Sequence, residues 1–521
     1  MRIRSLLFYL LLLALSGSAL QLGTTRAQAQ AAATARFEGT LNVVWGDPRP
    51  GRSQAGETRF NLTLPDGTTH PLQLGDAQRS AAVGLFGQRV IVQGRLTDAA
   101  RDGGRSPIAV ESIEAEPAGN APAPHAVVTG TRKVLFILLK FKGDTQVPHP
   151  VSFYTTQLTN PLTPPAGSKS PATINGFYNK TSWAKLKWVA SVAGVGGLKA
   201  TGWLTLPKTK TQYAPCGWSG VCADLTGIQN DALAMLAAPG ANHVDVTVFD
   251  NINFVLNNDL DCCAWGGGFT YMSKSYGATW EPPWGQEVGT YVHEFGHSIG
   301  LPHSGWRYYA YDSHHDEMSR GNSAAVIVCG TYKSANDGGA TDNIYCTKPG
   351  AGYITVHKNY LGWIPAKNKT TLNTKTTKTY VIEANALPLG TRLKMVIVCL
   401  AGQPCTGSSA RFLTIEAKMK VADYEKGLPT EGIVIHDVKM NRAPIGGSCF
   451  FNNQSGWALP IDATPGDFNS STCSPQDTAG SGLMNMPFVV GKTYNSALLG
   501  VKVQVKSKTA TTMTVVVTRT K

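Results

Sequence analysis

The run HEFGHSIGLPH, residues 293–303, sets histidines at 293, 297 and 303, a glutamate at 294 and a glycine at 300. Residues four apart share one helix face, so His293 and His297 can present two imidazoles to one ion. Glu294 projects beside that face, near enough to act on a metal-held water without ligating the metal. A third ligand on the same straight helix would lie too far along it. Gly300 answers that difficulty, because glycine tolerates positive φ, ends the helix and turns the chain. His303 can then swing back toward the ion. Three protein ligands leave one position open for water, the arrangement of a catalytic rather than a structural zinc site. By chance a bare H-E-x-x-H arises in roughly one in a hundred chains of this length, and the full pattern in about one in a hundred thousand. The spacing therefore favours zinc over incidental surface histidines. Val288, Tyr291, Val292, Phe295 and Ile299 add an apolar body suited to a buried helix, and buried histidines need a partner.

The first thirty residues read as an export signal. Arg2 and Arg4 open it, Leu6 to Leu15 form an apolar stretch too short to span a bilayer, and Ala27-Gln28-Ala29 is a small-residue cleavage site. A signal peptide is thus expected at 1–29 and a secreted protein with no membrane span, the form of the signal being that of bacterial export. All ten cysteines follow residue 215. Most are near neighbours: Cys216 with Cys222, Cys329 with Cys346, Cys399 with Cys405 and Cys449 with Cys473. Cys262-Cys263 could bond internally or reach back to the Cys216/Cys222 loop. Five disulfides in an oxidising compartment are the expectation. No C-x-x-C is present to suggest a cysteine zinc site. The formal charge of +13 lacks a dense Lys/Arg block or an aromatic-interleaved basic stripe, which argues against nucleic acid as a partner.

With 521 residues, the chain should divide into about three domains. Residues 36–116 alternate β-branched and polar residues between Gly, Pro and Asp turns, which predicts a small all-β domain, a propeptide or accessory unit. A five-stranded barrel of the oligonucleotide/oligosaccharide-binding type would fit. That unit has no cysteine, so no thiolate from it can block the zinc. A linker is expected over 117–130 and a catalytic domain over 131–366. Within it a helix is expected over 223–238, a strand over 243–256 with His243 at its edge, and the zinc helix over 286–299. Residues 367–521 return to strands and predict a C-terminal β-sandwich, with His436 structural in an apolar strand.

These motifs resemble a known group, the secreted metzincin-type zinc metalloproteases similar to gametolysin, and more distantly immune inhibitor A. GTYVHEFGHSIGLPHSG carries most of the resemblance. YAYDSHHDEMS looks like the segment that ends in the methionine turn, which makes Met318 the methionine beneath the metal. GYITVHKNYLGWIP, residues 352–365, is similar to the stretch closing the catalytic domain. Where some metzincins place a tyrosine two residues after that methionine, this chain has Arg320. The oxyanion role therefore stays open among Arg320, His314, His315 and Tyr311.

The fold class expected is α+β: a metzincin-like catalytic domain of twisted sheet and zinc helix, flanked by an N-terminal β-barrel-like domain and a C-terminal β-sandwich. The resemblance and the zinc run together imply a monomeric zinc endopeptidase acting on protein or peptide substrates. His293, His297 and His303 would hold one Zn2+, and Glu294 would act as general base and then general acid. Calcium is possible but unsupported, since no D-x-D-x-D-G loop occurs. Two other readings are an exported adhesion or glycan-binding protein retaining a protease fold, and a cell-wall peptide amidase.

Overall fold

The computed structural model describes residues 34–50, 56–97, 106–116, 127–304, 311–321, 325–422, 424–442, 456–464 and 485–521. The signal-peptide reading, most of the expected linker and the Cys449–Cys473 pairing fall outside them. Residues 34–521 form one compact unit.

Strands β1 (Ala35–Pro48), β2 (Glu57–Thr63), β3 (Thr69–Gln73), β4 (Arg89–Leu96) and β5 (Ile108–Ala115) close into a barrel, with helix α1 (Asp76–Val83) between β3 and β4. Closure runs β1–β2–β3–β5–β4 and back to β1, with β3–β5 the one parallel pair. Alternate side chains fill it, among them Leu41, Val43, Leu62, Val90 and Val92. The expected all-β unit is thus a closed five-strand barrel; β3 and α1 are its additions to what the alternating runs suggested.

A second sheet is built from β6 (Gly130–Lys140), β7 (Leu186–Ala193), β8 (Leu204–Thr205), β9 (Asn251–Leu256), β10 (Cys263–Tyr271) and β11 (Lys274–Glu281). Its order is β7-β6-β9-β11-β10, with β8 beside β6, and all pairs are parallel except antiparallel β10–β11. Strands β6 and β9 are buried on both faces, which explains the continuous apolar run in VLFILL, residues 134–139. Helices α2 (Ile174–Thr181), α3 (Lys210–Tyr213), α4 (Leu225–Ala237) and α5 (Val288–Ser298) accompany this sheet. One correction concerns the strand expected over 243–256. Only its second half is a strand. Asp245 accepts a hydrogen bond from the Thr247 backbone and winds Val246–Val248 into a tight turn, which leaves His243 exposed in a loop.

The hairpin β12 (Ala325–Ser334) and β13 (Ala340–Lys348) and helix α6 (Thr355–Tyr360) follow. Beyond them, β14 (Lys369–Leu372), β16 (Met395–Cys399), β17 (Arg411–Lys418), β18 (Gly432–Lys439) and β19 (Ala458–Pro460) form one sheet. The other contains β15 (Thr376–Glu383), β20 (Thr493–Ser496), β21 (Val501–Lys508) and β22 (Thr512–Arg519). Val398, Ile415 and Ile435 from the first meet Ile382, Val503 and Val515 from the second in one core, so the two sheets pack face to face. The architecture is mostly β with few helices, which fits the expected α+β class loosely. Cysteines pair as Cys216–Cys222, Cys329–Cys346 and Cys399–Cys405, and Cys262 bonds its neighbour Cys263. Among the described residues no helix is long and apolar enough to cross a membrane.

Barrel and central sheet are hydrogen-bonded to each other. Val44 to Pro48 of β1 pair antiparallel with Gly267 to Cys263 of β10, so ten strands form one continuous path. That junction lies at the site.

Candidate metal centre

Helix α5 starts late because Glu287 caps it, accepting from the backbones of Gly289 and Thr290. The second oxygen of Glu287 also accepts from Thr347 N–H and Oγ1 at 2.8 and 2.7 Å, tying the helix start to β13. The end is a glycine stop. Gly300, at φ +92°, donates to His297 O while Leu301 donates to Gly296 O, closing the last turn in the two-bond pattern that reverses the chain. His303 thereby returns to the helix face.

The three histidines converge. Nε2 of His297 and of His303 are 3.2 Å apart, and the ligand atoms of His293, His297, His303 and Asp47 all lie within 4.8 Å of one another. The remaining nitrogens decide what these atoms offer. His293 Nδ1 lies 2.6 Å from the carbonyl of Glu317, and His297 Nδ1 lies 2.7 Å from that of Leu301. A carbonyl can only accept, so both Nδ1 atoms donate, and each neutral ring turns a lone pair on Nε2 toward the common point. Converging lone pairs and a carboxylate repel one another unless a cation lies between them. This group could hold a metal ion, and its donor set of imidazoles and one carboxylate suits a borderline-soft divalent ion.

Asp47 was not legible in the sequence. Its Oδ1 is 2.8 Å from His303 Nε2, and its Oδ2 is 3.2 Å from His297 Nε2 and 3.4 Å from His293 Nε2. Burial alone would raise this carboxyl, but His303 and His293, when protonated in the absence of an ion, outweigh it and hold the group well below the ordinary range. Two residues earlier on the same face of β1, Trp45 stacks on His297 with ring centroids 4.7 Å apart and planes 11° from parallel. Burial depresses His297 to about 3 despite its contact with Asp47, so this imidazole stays neutral as a ligand should.

Glu294 is buried beside the centre, and both its carboxylate oxygens lack a hydrogen-bond partner. A side-chain carbon on Gly266 of β10 would lie 2.5 Å from one of them, so the helix and that strand touch at glycine. Burial first, then the negative charges of Asp47 and Glu281, raise Glu294 well above the ordinary range. Met318 is fully buried below the helix, and its carbonyl accepts from Ser304, the residue after the last histidine.

The four candidates for the oxyanion role separate. Tyr311 reaches the centre, with its hydroxyl on Asp47 and its ring centroid 5.2 Å from that of His303. His315 is turned away, bonded to the carbonyl of Thr430 at 2.8 Å. Arg320 is exposed, and His314 is buried. His436 sits fully buried in β18, paired across from Thr414.

No family model matches this sequence, and no curated protein matches it.

Proposed function

We propose that this chain is a secreted zinc-dependent endopeptidase of the metzincin type. The observation that carries the reading is the convergence of three imidazole nitrogens, two from one helix face and one from the turn after it, beside a buried Glu294. Zinc is the ion favoured, because three neutral imidazoles and one further position form the donor set of its catalytic sites. When bound, it would supply a Lewis acid for the scissile carbonyl and lower the pKa of an attacking water.

The chain's own groups do the rest. The carbonyls of Glu317 and Leu301 hold the rings of His293 and His297 in the ligating tautomer. Glu294 takes the proton of the attacking water as the new C–O bond forms. It gives that proton to the amine nitrogen as the C–N bond breaks, so one water is consumed per peptide bond. Tyr311 is the group positioned to donate to the carbonyl oxygen as charge develops there. Met318 supports the helix from below. Four disulfides among the described residues favour an oxidising compartment, in keeping with export.

The test pairs zinc content with casein cleavage for wild type and Glu294→Gln, each with and without a chelator. The expected result is about one zinc per chain in both proteins and chelator-sensitive cleavage in wild type alone. Glu294→Gln cleaving at the wild-type rate would sink the assignment. Cell-wall fragments hydrolysed in preference to casein would move the reading to an amidase. The same zinc without hydrolysis of either would move it to a binding protein.

A further inference from the structure

A cavity of about 650 Å³ opens between the barrel, the β10–β11 hairpin and the first turns of α4, a size typical of small-molecule sites. It lies on the other face of the sheet from the three histidines. Along β1, Leu41, Val43 and Trp45 point into the barrel core, and Trp45 reaches His297. The alternate residues Thr40, Asn42 and Val44 point the opposite way and line the cavity, with Thr63, Asn61 and Arg59 of β2 as their cross-strand partners. Phe269 and Trp280 form its floor and pack with α4, whereas α5 packs on the opposite face of the sheet.

The chemistry of the lining narrows what can enter. Its cations are committed within the protein: Arg59 to Glu57 and the Ala223 carbonyl, Lys208 to Asp231, and Arg89 to Glu116. Asp224 spends its carboxylate on capping α4. An anion therefore finds no spare positive charge. An extended peptide finds no strand edge either, because β1, β2, β10 and β11 are each paired on both sides. Neutral groups that both donate and accept are what remain. Asn61 on one wall and Gln229 on the other make no side-chain hydrogen bond among the described residues. The hydroxyls of Thr40 and Thr226 stand beside them.

The floor offers an apolar surface with one polar opening. Trp280 is 1% exposed, and its indole N–H has no acceptor in the protein, a cost that an acceptor on a ligand would remove. The walls are held in place beforehand. Asn42 donates to Thr63 and Thr270 at 3.0 and 3.2 Å, and Lys274 ties the hairpin to the carbonyls of Thr247 and Phe249, both at 2.6 Å. Amides facing each other across an aromatic floor match a sugar, whose hydroxyls donate and accept and whose ring face is apolar.

We propose that this cavity is a carbohydrate-binding site for a short, uncharged oligosaccharide, held between the amides of Asn61 and Gln229 over Trp280. The site is separate from the metal centre and stands whether or not that centre hydrolyses peptides.

The test is isothermal titration of the full chain with triacetylchitotriose, mannotriose, xylotriose and maltotriose, and with pyrophosphate as the anionic probe. Saturable one-to-one binding of at least one sugar is expected, with affinity reduced at least ten-fold in the Asn61→Ala/Gln229→Ala double variant. Neither amide has a protein partner, so the urea midpoint of that variant should match wild type and separate lost binding from lost fold. Chelator treatment should leave the sugar affinity unchanged. No saturable binding of any of the four sugars would overturn the proposal. Sugar binding that the double variant leaves unaltered, or pyrophosphate bound in place of sugar, would overturn it as well. Casein coupled to the bound sugar then identifies the source of the glycan, an arm that alone depends on the peptidase reading. A KM at least five-fold below that for plain casein, lost in the double variant, assigns the glycan to the protein substrate. Equal KM values assign it to a free polysaccharide on which the chain anchors.

Discussion

The sulfur of Met318 lies 2.2 Å from where a side-chain carbon on Gly296 would stand, so this helix glycine and this methionine fit only as a pair. Gly296 occupies the turn between His293 and His297, and contact with Met318 there fixes the height of both rings. Gly296→Ala should overpack the contact and cost about 1–3 kcal/mol. In a Met318→Ala background the same change should cost at least 1 kcal/mol less. Urea unfolding of the four proteins measures the coupling, and additive costs would show that the two residues do not press on each other.

Tyr311 reaches the centre with its hydroxyl on Asp47 and its ring beside His303. Tyr311→Phe should lower kcat roughly 100-fold, with KM and zinc content little changed. An unaltered kcat would restrict Tyr311 to holding Asp47 in place.

Removing the ion should be felt in stability as well as in cleavage. Because an ion held by the native group and not by the unfolded chain stabilises the fold, the stripped protein should unfold several degrees lower than the loaded one, with zinc restoring it. Calorimetry before and after 1,10-phenanthroline treatment decides this. A melting point indifferent to chelator would mean that the group binds no ion in solution.

Acid should weaken the fold through two imidazoles remote from the centre. Burial holds His315 and His436 each at about 3, against 6.5 for a solvent-exposed imidazole in the unfolded chain. Below pH 6.5 the unfolded state therefore binds protons that the native state refuses. Their contribution is fully present above 6.5 and is lost as pH falls toward 3, by about 1.4 kcal/mol per pH unit for each ring. His436→Phe should reduce that slope by one ring's share, as read from urea unfolding at pH 7.5, 6 and 5. A slope that His436→Phe leaves unaltered would place the acid sensitivity elsewhere.

The C-terminal sheets are fastened to the central region by a buried ion pair. Lys418 Nζ lies 2.9 Å from Glu425 and donates to the carbonyl of Gly352 at 2.8 Å, with both charged side chains at most 1% exposed. Lys418→Met should cost about 3–5 kcal/mol because it strands Glu425 without a counter-charge, and adding Glu425→Gln should restore much of the loss. A double variant no more stable than Lys418→Met would show that the pair contributes as packing rather than as charge.

Sequence spacing alone determined the local half of this protein. His293 and His297 share a face because a helix repeats near four residues, and Gly300 turns the chain because only glycine accepts φ +92° there without strain. The disulfide between Cys216 and Cys222 was legible for the same reason, since six residues cannot carry the partners far apart. The closed barrel could be anticipated from alternation and turns, although α1 lacked a clear apolar period. By contrast, the strand expected from His243 onward was half lost to an Asp245 turn that alternation does not register. What only the tertiary structure decided is who else stands in the group that could hold a metal. Asp47 and Trp45 lie in an ordinary strand run, and nothing in their neighbourhood marks either one. They reach the three histidines because β1 pairs with β10, and pairing between strands more than two hundred residues apart depends on backbone edges left open by the rest of the fold.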